Sequence, residues 1–327
     1  MDINDIARKA GVSRATVSRY LNDGYVSKEK RELIGRIIEE TGYVPSHQAQ
    51  TLRTGKTKLV GVVIPKINSH SVGRMVAGIT SMLATRGYQV LLATTDNDES
   101  REIEYLSIFS ERNQVDGIIL IATVFTPAHR QAIEALSVPI VVLGQQFKDM
   151  SCVYQDDYHA LYDIVRSCLE KAENPVYIGV REGDIAAGMM RRTAFADACA
   201  DAGMELGAHA FETGEFTADS GYLCTERLLA SHPGLDTIVC ANDDMAFGSL
   251  TCLREYGRRI PEDVQVTGVG DGSLASISYP ALTTVHFFYR TSGEEAARML
   301  VSLIEEGERV SKQLLMGYEI MVRASTR

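Results

Sequence analysis

The chain has 327 residues, 45% of them hydrophobic, with 33 Lys+Arg against 43 Asp+Glu and a formal net charge of −10. That length and apolar content suit more than one domain with sizeable cores, and the acidic balance argues against a generic polyanion binder. The charge is unevenly spread: residues 1–58 hold 11 Lys+Arg and 7 Asp+Glu, net +4, and the remainder holds 22 and 36, net −14. A small basic head on an acidic body suits a protein that touches DNA with one end only. The cysteines Cys152, Cys168, Cys199, Cys224, Cys240 and Cys252 form no CxxC pair and read as reduced, buried residues. No basic-then-apolar leader opens the chain and no apolar run is long enough to span a bilayer, so a cytoplasmic protein is expected.

The first stretch reads as two short helices joined by a tight turn. Ile3, Ile6, Ala7 and Ala10 recur at helical spacing, and Ala7 is small enough for a second helix to cross nearby. Gly11 can take the left-handed backbone that ends the first helix, and Ser13 suits an N-cap for the next. Val17, Tyr20 and Leu21 fall on the inner face of that second helix; Arg14, Ala15, Ser18 and Arg19 fall on the outer face. A steep helix pair with a basic, small-residue second helix describes a helix-turn-helix, whose second helix fits the major groove. An ordinary helical hairpin is the bland alternative.

The run Asp5-Ile-Ala-x-x-Ala-Gly-Val-Ser-x-x-Thr-Val-Ser-Arg-x-Leu-Asn22 resembles the opening of the lactose/galactose repressor family of bacterial transcription regulators, and the order of the remaining segments fits that family over nearly the whole chain. The resemblance implies a homodimer on a pseudo-palindromic operator. Ser13, Arg14, Ala15, Thr16, Arg19 and Asn22 would then meet the DNA. Arg14 and Arg19 would carry most of the direct readout, with guanine as their preferred partner.

A third helix is expected over 27–41, capped by Ser27, striped by Leu33, Ile34, Ile37 and Ile38, and ended by Gly42. Pro45 can start and Gly55 can end a helix of about two turns, marginal in water by itself. In the family this segment resembles the hinge helix that orders on the operator's minor groove. Leu52 would be the wedge at a base step and Ala49 the small residue at the groove. Ser46 and Gln50 depart from the Asn and Arg that many members carry, and Gln50 remains a competent polar contact. A plain linker is the alternative.

From residue 59 short continuous apolar runs recur at 59–65, 88–94, 117–122, 139–144, 176–180, 237–241 and 264–269, as in buried parallel strands. Helical segments alternate with them at 72–86, 100–112, 128–136, 158–171, 188–202, 218–231, 244–256 and 291–306. The alternation predicts an α/β body of parallel sheets, with too many strands for one compact half. Two lobes around a cleft are expected, similar to a periplasmic binding protein. The family resemblance adds three crossings between the lobes, 291–306 returning to the first. The expected domains are 1–44 (head), 45–58 (hinge helix and linker), 59–156 plus 288–312 (first lobe) and 157–287 plus 313–327 (second lobe).

Ligands in such lobes sit at the carboxyl ends of strands. Lys66 follows the first strand where many members place Asp, and a cation there could pair with a phosphate or carboxylate. This position and Val176-Tyr-Ile-Gly-Val-x-x-x-Asp184-x-x-x-Gly188 look closest to the trehalose-repressor branch, which binds a phosphorylated disaccharide. An exposed lysine with no specific contact is the alternative. Asn68, Ser69 and Gln145 join the expected effector site. Arg191 aligns with the arginine that many family members use to grip a sugar hydroxyl or an anionic group, with Arg192 as its rival, and either could instead be a helix-surface charge. Phe216 stands where the family often stacks an aromatic on a sugar ring, or it is a core phenylalanine. Asn242 and Asp243 could bond ligand hydroxyls or cap the next helix. Gly268-Val-Gly-Asp-Gly-Ser273 departs from the family it resembles: the usual first acid of a pair is replaced by Gly270, leaving only Asp271, a loss that suits an anionic effector.

Catalytic signals are missing: no GxGxxG in the right setting, no HExxH, no metal spacing and no GxSxG nucleophile elbow. No cofactor is expected. A sugar-binding transport protein would have similar lobes but an export signal and no DNA-binding head. An activator uses the same parts as a repressor. The expected function is a DNA-binding repressor controlled by a sugar or sugar-phosphate effector. The chain has no leucine-heptad tail, which favours a dimer over the tail-built tetramer of the lactose repressor.

Overall fold

The computed structural model describes residues 1–22, 24–43, 56–111, 114–207, 209–307 and 310–327. It divides into two compact units, Met1–Thr57 and Lys58–Arg327. The expected hinge helix, with Ser46, Ala49, Gln50 and Leu52, lies outside the described residues.

The first unit holds α1 (Ile3–Lys9), α2 (Arg14–Tyr20) and α3 (Lys28–Thr41). Ile6, Ala7, Ala10, Val17, Val26, Ile34 and Ile37 form its core. Asp2 caps α1, accepting from the Asn4 and Asp5 amides, while the Asp5 carboxylate accepts from the Asp2 amide. Gly11, at φ +60, makes the left-handed step between α1 and α2, and Gly42, at φ +61, ends α3. Ser27 precedes α3 without a side-chain cap bond, and Leu33 faces out, so the α3 stripe is narrower than expected.

The second unit has two six-stranded sheets. The first contains β1 (Leu59–Ile64), β2 (Gln89–Thr94), β3 (Gly117–Ile121), β4 (Ile140–Leu143), β5 (Cys152–Gln155) and β11 (Gln313–Met316), in the order β11-β5-β4-β3-β1-β2. The second contains β6 (Pro175–Gly179), β7 (Phe211–Thr213), β8 (Thr237–Cys240), β9 (Gln265–Val269), β10 (Thr283–Phe287) and β12 (Tyr318–Met321), in the order β12-β10-β9-β8-β6-β7. Among the described residues every pairing between these strands is parallel except β10 with β12. Strands β1, β3, β6, β8 and β9 are buried almost throughout, as their continuous apolar runs require.

Helices α4 (His70–Thr85), α5 (Glu99–Ser110), α6 (Pro127–Glu134) and α11 (Tyr289–Glu305) flank the first sheet. Helices α7 (Asp157–Leu169), α8 (Arg191–Asp201), α9 (Ala218–Ser231) and α10 (Asp243–Glu255) flank the second, with a π-helical turn, Ile185–Met190, leading into α8. The chain crosses between lobes after β5, after β10 and at Gly317, between β11 and β12. Gln313–Met316 therefore belongs to the first sheet, which moves the last lobe boundary from 312 to about Gly317. All six cysteines are buried as free thiols. Among the described residues no helix is long and apolar enough to cross a membrane.

Candidate DNA-reading helix and effector cleft

In the head, Ser13 caps α2: its Oγ accepts from the Thr16 amide at 3.2 Å and lies 2.9 Å from the Thr16 hydroxyl. Val17 is fully buried beneath the helix, and Arg14, Ala15 and Arg19 are exposed on its outer face. The Arg14 and Arg19 guanidinium groups have no hydrogen-bond or ion-pair partner among the described residues. The Asn22 amide is turned back to the Ser18 carbonyl, where it closes the helix end. Tyr20 packs towards α3 at Gly35, where a Cβ would come within 2.9 Å of its hydroxyl. The Arg31 guanidinium lies 5.6 Å from the Tyr20 ring centre and donates to the Gly24 carbonyl at 2.9 Å. These contacts fix the angle of α2 and leave its outer face open.

In the second unit, a cavity of about 550 Å³ lies between the two lobes. It is formed by the first residues beyond each parallel strand, as strand direction dictates. The first lobe supplies Lys66, Asn68 and Ser69 after β1, Asn97 after β2, Thr123 after β3 and Gln145 after β4. The second supplies Arg181 and Asp184 after β6, Glu215 and Phe216 after β7, Asn242 and Asp243 after β8, and Gly270 after β9. A space of this size, with a few convergent polar groups, matches small-molecule sites.

Several lining groups are already tied down by the protein. Arg191 is 7% exposed; its Nε and Nη2 meet Asp157 Oδ1 at 2.7 and 2.5 Å, and Nη1 donates to the Ala241 carbonyl. Burial is the largest influence and works against the guanidinium, but the charge and hydrogen bond of Asp157, with Tyr289 and Tyr177 nearby, together outweigh it and hold Arg191 protonated, above its ordinary value. Arg192 points elsewhere, pairing with Glu182 at 3.1 Å and stacking 4.0 Å from the Phe211 ring centre. Of the two rival arginines, Arg191 is the one that lines the cavity. Phe216 both lines it and packs half-buried against the core.

Gln145 Nε2 donates to Asp184 Oδ1 at 2.9 Å and to the Thr123 carbonyl at 3.0 Å, bridging the lobes. Asp184 also caps the π-helical turn through the Ala187 amide at 3.0 Å, and burial raises its carboxyl above the usual range. A second bridge runs from Arg74 of α4 to the Gly270 carbonyl at 3.0 Å.

Asn242 caps α10, its Oδ1 accepting from the Met245 amide at 3.0 Å. Asp243 is 6% exposed, accepts from the Gly272 amide at 2.7 Å and from the Thr284 hydroxyl at 2.5 Å, and is pushed up to about 6 by burial. Asp271 does not line the cavity. Its carboxylate is taken by Arg323 at 2.6 Å and His286 at 2.8 Å, on the far side of the loop. Gly270 adopts φ +134, which a side chain at that position would strain, so backbone shape by itself accounts for the glycine there.

The sequence had not singled out His70, Asn97, Asp157, Arg181, Glu215 or Asp244 as lining residues. Asn97, Arg181 and Asp244 stand within three residues of the end of an expected strand run and could have been found from it, whereas Asp157 and Glu215 follow the short strands β5 and β7, which no apolar run announces.

The family description "Bacterial regulatory proteins, lacI family" matches residues 2–46, and "Periplasmic binding protein-like domain" matches residues 170–326. The chain is 30% identical to the HTH-type transcriptional regulator RegA of Clostridium saccharobutylicum, across 99% of this chain and 98% of that one. It is 31% identical to the sucrose operon repressor of Staphylococcus xylosus, across 93% of this chain and 94% of that one. Among solved structures, the complex of the transcriptional regulator CelR with cellobiose superposes with a TM-score of 0.77 at 29% identity, covering 99% of both chains.

Proposed function

Because the chain belongs to the lacI family of bacterial regulatory proteins, we propose that it is a dimeric cytoplasmic repressor whose operator affinity is set by a carbohydrate or carbohydrate phosphate in the cleft. The observation that carries this reading is the cleft itself. A cavity of about 550 Å³ draws hydrogen-bonding groups from both lobes, and the same chain carries a helix-turn-helix head. The sucrose operon repressor and the CelR–cellobiose complex support a carbohydrate as the ligand class.

In this reading α2 enters the major groove with Ser13, Arg14, Ala15, Thr16 and Arg19, and the segment carrying Ser46, Ala49, Gln50 and Leu52 meets the centre of the operator. Lys66, Asn68, Ser69, Gln145, Asp184, Arg191, Phe216, Asn242 and Asp243 contact the effector. Arg191, already neutralised by Asp157, offers directional donors more than a free charge. The ligand acts only to the extent that it binds one arrangement of the lobes better than the other.

A thermal-shift screen of the full chain against paired sugars and sugar phosphates tests this. A ligand at about 100 times its dissociation constant stabilises the folded state by about 2.7 kcal/mol. Stabilisation by a carbohydrate supports the reading, and Lys66→Ala should then weaken a sugar phosphate more than the free sugar. Stabilisation only by ligands of another class, such as nucleobases, overturns the carbohydrate assignment and leaves the DNA-binding head standing.

A further inference from the structure

The two walls of the cleft differ in charge. Its lining carboxylates, Asp157, Asp184, Glu215, Asp243 and Asp244, all belong to the second lobe. Among the described residues the first lobe's wall has none; its basic lining groups are Lys66 and His70, and its remaining ionisable group, the buried Tyr289 phenol, is held neutral by burial. Arg191 is neutralised by Asp157, so Arg181 alone faces the four remaining acids of the second lobe. An anion placed against that wall meets net repulsion; placed against the first lobe, it meets a cation and amide donors.

Asn97 is the notable member of the first wall. Asp96 and Asn97 stand at φ +56 and +62, two successive non-glycine residues in the left-handed region. Asn and Asp are the side chains that tolerate this conformation best, and such excursions persist where the surroundings hold them. Here the Thr95 amide donates to the Ile64 carbonyl at 3.0 Å and the Asn97 amide to the Pro65 carbonyl at 3.1 Å. The loop after β2 is thereby tied to the residue just before Lys66, and Asn97 enters the same wall as Lys66. The side chains of Lys66 and Asn97 have no hydrogen-bond or ion-pair partner among the described residues.

We propose that the cleft takes its effector in one orientation, with an anionic group, phosphate ester or carboxylate, held on the first lobe by Lys66 and the Asn97 side-chain NH2, and with hydroxyls donating to Asp184 and Asp243 on the second. Asn97 then sets specificity: it separates charged from neutral forms of the same carbohydrate. This rests on the reading that the cleft binds a carbohydrate-type effector.

Calorimetric titration of the full-length chain tests it with two probe pairs, trehalose with trehalose 6-phosphate and cellobiose with cellobionate. The variants are Asn97→Asp, which keeps the shape and the left-handed tolerance but puts a carboxylate on the first wall, and Asn97→Gly, which relaxes the backbone and removes the amide. The wild type should bind an anionic member more tightly than its neutral partner. Asn97→Asp should weaken that anionic member by about tenfold or more, the scale of a charge-assisted hydrogen bond, and Asn97→Gly by less, with the neutral partner little changed. Selectivity for the phosphate pair alone, or for the carboxylate pair alone, names the anion. Equal losses for charged and neutral members, no loss for either, or preference of the wild type for the neutral members would overturn the orientation while leaving a carbohydrate site. Failure of the wild type to bind any of the four probes would overturn the orientation and count against the carbohydrate reading as well.

Discussion

Removing the carboxylate of Asp157 should destabilise the second unit more than any surface change. Asp157 and Arg191 are 6% and 7% exposed and joined by two short contacts to one carboxylate oxygen. Asp157→Ala leaves a buried guanidinium with the Ala241 carbonyl and the Phe287 ring face, 5.7 Å from its centre, but without its ion-pair partner. Breaking a buried pair from one side costs about 3–5 kcal/mol, most of it the desolvation of the charge left behind. For a unit of this size that corresponds to a fall of about 6–20 °C in its unfolding midpoint. Thermal denaturation followed by circular dichroism on wild type, Asp157→Ala, Arg191→Met and the double variant Asp157→Leu with Arg191→Met reads this directly. The double variant should recover much of the loss, because replacing both charges by apolar side chains removes the orphaned ion. A loss below about 1 kcal/mol in Asp157→Ala, or a double variant as unstable as the sum of the singles, would refute the reasoning.

Asp243 has a folded-state value of about 6, raised by burial from 3.8. Its protonated form is therefore favoured on folding: the contribution to stability is fully present below the unfolded value and is lost as pH rises through about 6. The difference is of order 3 kcal/mol. Urea titrations between pH 4.5 and 7.5 should show this slope, and Asp243→Asn should flatten it. Gly78 of α4 faces α11 so closely that an added Cβ would lie 2.0 Å from the Arg290 carbonyl oxygen. Gly78→Ala should cost about 1–3 kcal/mol by forcing the helices apart, measurable as a lower midpoint in urea. Arg14→Ala should relax base preference at one position of each half-site in a binding-site selection, a loss of about 1–3 kcal/mol of discrimination; an unchanged preference would remove Arg14 from the readout.

The head and the α/β alternation were legible because each rests on local chemistry. Ser13 at a cap, Gly11 at a left-handed step and Val17 on an inner face need no distant partner. Helix α9 falls on the range that its periodicity gave, Ala218–Ser231. Strands β5, β7, β10, β11 and β12 were missed because they are three to five residues long and lack a continuous apolar run. Thr283–Phe287 carries two threonines and a histidine, yet four of its five residues are buried by the helices and strands beside it. β11 and β12 are separated by Gly317 alone and join different sheets, which no local pattern announces.

In the cleft, the residues after each strand run were readable as a set, but their states were not. The pairing of Asp157 with Arg191 spans 34 positions, and the capture of Asp271 by Arg323 spans 52. Only the packed fold shows that the first arginine is already neutralised and that the aspartate is turned away. On the sequence, the absence of an acid before Asp271 suits an anionic ligand. The φ of +134 at Gly270 gives a backbone reason that acts whatever the ligand is.

The most direct measurement couples the two ends of the molecule. The operator is first identified by binding-site selection with the full-length chain, and its affinity is then measured with and without a saturating concentration of the carbohydrate that stabilises the protein. A shift in operator affinity of about 5- to 150-fold, mirrored by an equal shift in carbohydrate affinity when the operator is bound, is the predicted result. Identical operator affinity with the cleft empty and filled would contradict an effector-controlled regulator.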